Sequence, residues 1–341
     1  MRAVVISGPG NVKVENVADP TLRPGEVLVR VGACGICGTD LHILDGDSPL
    51  ARYPIIPGHE FAGEVVALGG EPGAGTNEDG IVVGSRVAVE PNLYCGRCEP
   101  CRTGHENLCL NYAALGVTTN GAMAQYVAVP RTKTYLLPES LSLQEGALIE
   151  PISCAVHGMH RLQPRSGDTI LIVGAGTMGL LLLQLVVRGG ASRVAVIDVN
   201  TQRLQRAEKL GARRTYTDIK QALKDEPRGF DCVVDATGVP VVVENAFAAV
   251  KRGGKFMIFG VSPANAHISL SPFRIYNDEI TVLGSMAVLY SFQAALDLIS
   301  SGVIDTQAML TTALPLADFS TALDMVRRGE GVKNQLLPGK E

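Results

Sequence analysis

Through roughly the first 150 residues, apolar positions come in short β-branched runs at 26–31, 62–68 and 85–89, each bounded by Gly, Pro or polar residues. Short runs broken by turn residues predict strands, and several in series predict a β-rich, barrel-like unit. The first eight residues fit this pattern as a strand running into a turn. Beyond residue 150 the period changes. Apolar runs at 169–173, 193–197, 232–234 and 255–259 read as buried strands, and helical stretches at 178–188, 201–210 and 244–251 alternate with them. Such alternation predicts a doubly wound parallel α/β sheet. It stops at about residue 285, where helices at 291–300 and 317–328 are expected to fold back on the first unit. Residues 69–80, rich in Gly and acidic residues, read as a long polar loop.

Composition narrows the class. The chain has 341 residues, 46% hydrophobic and 19% charged, with a net charge of −4. At about 100–200 residues per domain, two domains are expected. Extended disorder is excluded by high apolar content and low net charge. No dense Lys/Arg tract occurs, so no nucleic-acid partner is expected. The most apolar stretch, 180–187, falls far short of the ~20 residues that cross a bilayer. The first residues lack the apolar core and cleavage site of a signal peptide. A cytoplasmic protein with no membrane partner is expected.

Gly174-Ala175-Gly176-Thr177-Met178-Gly179 has G-x-G-x-x-G spacing, between a buried strand and an apolar helix. Gly174 permits a tight turn, Gly176 lets the backbone approach a pyrophosphate, and Gly179 lets helix and strand pack closely. The helix N-terminus at Thr177 and Met178 offers free N–H donors to the anion. Asp198 ends the next strand, 24 residues after Gly174. Its carboxylate suits both adenosine ribose hydroxyls and repels a 2′-phosphate, which favours NAD over NADP. Arg203, one helical turn on, is placed to pair with Asp198, stack on adenine or face solvent. Thr237, Gly260 and Val261 close later strands, where backbone is expected to meet the nicotinamide half. Ser285 sits where the chain leaves this unit, a candidate hinge.

Eight cysteines are present, and their grouping points to metal rather than disulfides. Cys95, Cys98, Cys101 and Cys109 fall within 15 residues. Four thiolates at these intervals close a tetrahedron about one Zn²⁺ with no open position, so this site is expected to be structural. A second set is spread over three segments, at Cys37, at His59-Glu60 and at Glu150. One thiolate, one imidazole and one or two carboxylates suit a zinc that keeps a position for substrate. Spacing leaves open whether the three segments meet or each holds an ordinary turn or core residue. Cys34, Cys154, His157, His160 and Cys232 read as core or cleft wall, and His105 as surface.

In this order the segments resemble the zinc-dependent medium-chain dehydrogenase/reductase superfamily over essentially the whole chain. Ile149-Glu150-Pro151-Ile152 is similar to the sorbitol (polyol) dehydrogenase branch. Cys37-Gly38-Thr39-Asp40-Leu41-His42-Ile43 is as similar to L-threonine dehydrogenase, which would carry Asp-Pro where this chain has Glu150-Pro151. The resemblance implies an α/β fold. A GroES-like β-barrel catalytic domain would come from 1–150 and 285–341, a Rossmann doubly wound parallel sheet from 151–284, and the active site from the cleft. It implies two Zn²⁺ per chain, a catalytic one held by Cys37, His59 and Glu60 or Glu150, and the structural one. Asp40 would orient a ligand, and Thr39 and His42 would relay a proton through the nicotinamide ribose.

The implied reaction oxidises a secondary alcohol of a small molecule, most simply a polyol, to a ketone, with hydride passing to NAD. Zinc can lower the pKa of bound water from about 15.7 to about 7, and an alcohol gains similarly. Alternatives are an L-threonine 3-dehydrogenase, a diol dehydrogenase, or an NAD-binding protein without turnover. A homodimer or homotetramer is implied. The 69–80 segment is longer than the turn usual in the family.

Overall fold

The computed structural model describes residues 1–70 and 80–339. The chain divides into two compact units. The first comprises Met1–Pro151, Phe292–Ser300 and residues 309–339, and the second Ile152–Ser291 and Ser301–Ala308. Most of the expected 69–80 loop, residues 71–79, lies outside the described residues. Residues 285–291 and 301–308, expected with the first unit, group with the second. Two hydrogen bonds account for the later segment. Asp305 N donates to the buried Gln184 Oε1 at 2.6 Å, and Arg206 Nη1 donates to the Ala308 carbonyl at 2.6 Å.

The first unit is built on a seven-stranded mixed sheet. Its spatial order is Leu310–Pro315, Lys333–Leu337, Glu26–Gly35, Glu60–Leu68, Arg86–Val89 and Thr134–Leu136, with Tyr126–Pro130 also pairing to Glu26–Gly35. An antiparallel hairpin, Arg2–Gly8 with Asn11–Asn16, stands beside it. Alternating strand residues such as Val27, Val29 and Val31 enter one core with Phe61, Val65 and Val87. The C-terminal helix Phe319–Arg327 adds Phe319, Ala322 and Leu323 to that core, as its apolar spacing requires. Helix Phe292–Ser300 reaches the same unit through Phe292, whose ring lies 4.6 Å from that of Tyr135. The last expected helix thus starts two residues late, after a 3₁₀ turn at Leu316–Asp318.

The second unit is a six-stranded parallel sheet in the order Arg214–Tyr216, Arg193–Ile197, Thr169–Val173, Phe230–Asp235, Val250–Ile258, Thr281–Gly284. In sequence order this reads 3-2-1-4-5-6, so the winding reverses beside Thr169–Val173, where such sheets bind ligands. Helix Thr177–Arg188 covers it with a continuous buried run from Gly179 to Val186. The expected helix at 244–251 is shorter and earlier. It spans Pro240–Ala246, and the chain is already a strand from Val250 because Val250 and Phe256 are needed in the core. Strands Arg214–Tyr216 and Thr281–Gly284 had no readable apolar run. No helix among the described residues is long and apolar enough to cross a membrane.

One buried ion pair anchors the chain just before the cysteine-rich segment. Lys133 Nζ donates to Glu90 Oε1 at 2.7 Å, the Tyr135 hydroxyl donates to Glu90 Oε2 at 3.3 Å, and the ammonium sits 3.9 Å from the Tyr94 ring centroid. Removing one partner strands a buried charge, which costs about 3–5 kcal/mol. Lys133→Met should therefore lower stability by about that amount, and adding Glu90→Gln should recover most of it. Urea unfolding followed by circular dichroism reads both. A loss below about 1 kcal/mol would show the pair to be solvated.

Candidate active site and metal centres

Strand register brings the first donor set together. Gly35 pairs with Glu60 across the antiparallel strands, so residues 36–37 and His59 leave the sheet side by side. Cys37 then caps helix Gly38–Asp45, its N–H donating to Asp40 Oδ2 at 2.8 Å. Among the described residues, Cys37, His59 and Glu60 present one donor atom each within 4.8 Å of one another. Asp40 is fully buried, and its Oδ1 lies 3.8 Å from His59 Nδ1. At that distance the two atoms face each other as charges without a hydrogen bond.

Electrostatics show what this cluster is built to hold. Burial alone would favour a neutral His59, but a hydrogen bond with Cys37 and the charges of Cys37, Asp40 and Glu150 outweigh it. They carry the imidazole pKa well above its ordinary value. Burial likewise raises the Asp40 carboxyl. A sulfur, a nitrogen and an oxygen donor inside an anionic pocket fit a divalent cation, and that donor mixture fits zinc. Glu150, in the first turn of helix Ile149–Leu162, is buried and acts on His59 through its charge, but lies outside the tight donor set. Cys34 is fully buried and also outside it, its thiol pushed well up by burial.

Thr39 and His42 stand three residues apart on the short helix and so share a face. The Thr39 hydroxyl is 3.7 Å from Cys37 Sγ. One charged neighbour escaped the sequence reading. Lys333, in strand Lys333–Leu337, is buried against Glu60 with Nζ···O distances of 2.8 and 2.6 Å. Its signal, a lysine opening Lys-Asn-Gln-Leu-Leu, looks like that of any solvent-facing strand.

The four-cysteine set also closes on itself. Cys98 Sγ lies 3.4 Å from Cys101 Sγ and 3.8 Å from Cys109 Sγ, and Cys109 Sγ lies 3.6 Å from Cys95 Sγ. Sulfurs arranged tetrahedrally about zinc at about 2.3 Å would stand about 3.8 Å apart. All four are free thiols. Backbone N–H groups help lower the Cys95 thiol to about 6 and lower the Cys98 thiol too, favouring thiolates there, while burial raises the Cys101 thiol to about 12.

In the second unit, register gathers the fingerprint. Val173 pairs with Ile197 on one side and Asp235 on the other, and Ile258 pairs with Asp235 and Gly284. The residues that follow (Gly174, Asp198, Thr237, Gly260, Val261 and Ser285) therefore emerge at one end of the sheet. Gly174 has φ +104, and a Cβ there would lie 2.9 Å from Thr237 Cγ2. A Cβ on Gly179 would lie 1.8 Å from the Gly174 carbonyl, so only glycine lets the helix approach. Beside Gly176 a Cβ would meet nothing nearer than Arg203, at 4.0 Å, leaving a cradle at the helix N-terminus, which no side chain caps. Asp198 accepts from Ala175 N at 2.7 Å and from Asn200 N at 2.8 Å. Thr237 is fixed by its hydroxyl, 2.6 Å from Asp235 Oδ1. Ser285 Oγ is buried with no hydrogen-bond partner among the described residues.

Comparison with known proteins agrees with this geometry. The Alcohol dehydrogenase GroES-like domain family matches residues 23–139, and the Zinc-binding dehydrogenase family matches 177–301. D-arabinitol dehydrogenase 1 of Uromyces fabae is 34% identical, covering 99% of this chain and 97% of its own. Sorbitol dehydrogenase of Bacillus subtilis is also 34% identical, covering 99% and 96%. A Sinorhizobium meliloti structure described as a zinc-binding dehydrogenase bound to NADP superposes with a TM-score of 0.90 at 35% identity, covering 99% of each chain. The chain belongs to the zinc-dependent medium-chain dehydrogenase/reductase family, in its polyol dehydrogenase branch.

Proposed function

We propose that this protein oxidises a secondary hydroxyl of a polyol to a ketone, using one zinc at Cys37, His59 and Glu60 and NAD at the Gly174–Gly179 turn. The observation that carries the reading is the mixed S, N, O donor set within 4.8 Å, alongside a separate all-cysteine set. The first mixture suits an open catalytic zinc and the second a closed structural one. When bound, zinc supplies Lewis acidity to the substrate hydroxyl and NAD accepts the hydride.

The chain's own groups do the rest. Asp40 orients His59, Glu60 completes the shell, and Glu150 adds negative charge from outside it. Thr39 accepts the hydroxyl proton and His42, on the same helix face, passes it to water. Asp198, anchored by Ala175 and Asn200, faces the adenosine ribose, and Arg203 lines the cradle beside Gly176. Thr177 and Met178 offer N–H groups to the pyrophosphate, while Thr237, Gly260, Val261 and Ser285 meet the nicotinamide half. The S. meliloti relative was solved with NADP. The preference for NAD here rests on the Asp198 carboxylate.

An L-threonine substrate would need a cation for its carboxylate, and Arg274 is engaged elsewhere. Its guanidinium donates to the Phe247, Ala248 and Val250 carbonyls and pairs with Asp278. This takes Arg274, though not Arg52, out of that role, and the polyol reading rests on the relatives. A homodimer or homotetramer fits the exposed Phe273 and Tyr276, 70% and 82% accessible, in the unit whose sheet ends at strand Thr281–Gly284.

The test is NADH formation over sorbitol, xylitol, arabinitols, 2,3-butanediol and L-threonine, with zinc counted by elemental analysis. Two zincs per chain and chelator-sensitive turnover confined to polyols are expected; turnover of L-threonine alone would overturn the reading. Asp198→Ala should lower kcat/KM for NAD by about tenfold or more, because charge-assisted hydrogen bonds are worth about 1.5–3 kcal/mol each. The same variant should narrow the gap to NADP. His42→Ala should slow turnover most at low pH, where hydroxide is too scarce to take the proton. An unchanged pH–rate profile would remove His42 from the path.

A further inference from the structure

Beside a site that must hold a dication, the chain has buried a lysine. Lys333 is 3% exposed, and its Nζ donates to Glu60 Oε1 at 2.8 Å, Glu60 Oε2 at 2.6 Å and the Ile36 carbonyl at 3.1 Å. Those three acceptors match the three donors of an ammonium. Backbone pairing fixes its position. Gln335 and Leu336 pair with Gly35 and Cys34, and Ile36 N donates to the Asn334 carbonyl at 2.9 Å. The strand carrying Lys333 is therefore locked to the segment that leads into Cys37.

The other wall is a missing side chain. A Cβ on Gly35 would lie 2.1 Å from Glu60 Oε2, so the carboxylate occupies space that only glycine leaves. Glu60 thus sits in a built cradle, Gly35 on one side and Lys333 on the other, with the Cys37 and His59 donors within 4.8 Å. A carboxylate whose two oxygens both accept from one ammonium is a weaker donor to a metal, and it does not chelate through both oxygens. The ammonium also repels the metal directly, so a binding site alone would be better off without it.

We propose that Lys333 is a positioning residue that limits the Glu60 carboxylate to one weak donor oxygen toward the metal at Cys37 and His59, keeping a coordination position open for the substrate oxygen. This rests on the zinc reading of that donor set. Without the lysine, Glu60 would be a buried carboxylate whose sole cation is the metal. It would then chelate the metal through both oxygens and fill the position.

The experiment follows zinc release to a chelator, and the visible spectrum of the Co²⁺-substituted protein, in wild type, Lys333→Met, Lys333→Arg and Lys333→Met/Glu60→Gln. The slow phase from the four cysteines serves as internal reference. Lys333→Met should release the other zinc about tenfold more slowly, equivalent to about 1.4 kcal/mol, with weaker cobalt bands typical of higher coordination. Lys333→Arg should behave like wild type, and the double variant should lose the slow release. Release as fast as wild type or faster, with an unchanged cobalt spectrum, would make Lys333 a structural counter-ion only and overturn the proposal. If Lys333→Met does not fold, Lys333→Gln, which keeps hydrogen-bond donors without the charge, gives the same two outcomes. A wild type holding one zinc per chain would instead overturn the metal reading itself, along with this proposal.

Discussion

Buried negative charge is the constraint on which the first unit depends. Asp40, Glu60 and Glu150 are all removed from water, and the Cys37 sulfur lies within 4.8 Å of a Glu60 oxygen. Such a concentration is tenable only with cations among it. Lys333 supplies one through its pairing with Glu60, and the same negative surroundings raise the His59 imidazole pKa. A metal at Cys37, His59 and Glu60 would supply the rest. The surrounding strands are therefore arranged around charge balance as much as around apolar packing.

In the second unit the comparable constraint is steric. Three chain segments must pass close together at the end of the sheet where the winding reverses, and side chains would keep them apart. Gly179 against the Gly174 carbonyl is one contact. Gly260 is another, since a Cβ there would lie 2.1 Å from Gly238 N. What the missing side chains leave is exposed backbone N–H at a helix start, a surface suited to an anion.

Much of this was legible in advance, because periodicity and spacing encode local geometry. The parallel strands at 169–173 and 193–197, the glycine turn and Asp198 lie within one contiguous stretch whose register follows from chain order. Cys95, Cys98, Cys101 and Cys109 are close in sequence, so their convergence could be read from the intervals. Harder to see was the meeting of Cys37 with Glu60, which depends on antiparallel register between separate strands. Lys333 was invisible: strand Lys333–Leu337 is wholly buried, yet it opens Lys-Asn-Gln, a polar pattern that resembles an exposed edge. Its burial makes sense only once Glu60 is placed opposite. The helix expected at 244–251 failed for a related reason, as tertiary demand for Val250 in the core overrode local propensity.

The first unit is discontinuous, with residues 152–291 inserted before its remaining parts. During synthesis, the ribosome delivers Cys37, His59, Glu60 and Glu150 long before the strand that carries their lysine. Until that strand emerges, the nascent anionic cluster has no permanent counter-charge and the Glu26–Gly35 strand lacks one of its neighbours. The second unit, nearly contiguous, has by then been made in full. Assembly therefore has a direction: the nucleotide-type sheet is able to form first, and the cluster becomes electrically complete only with the last strand.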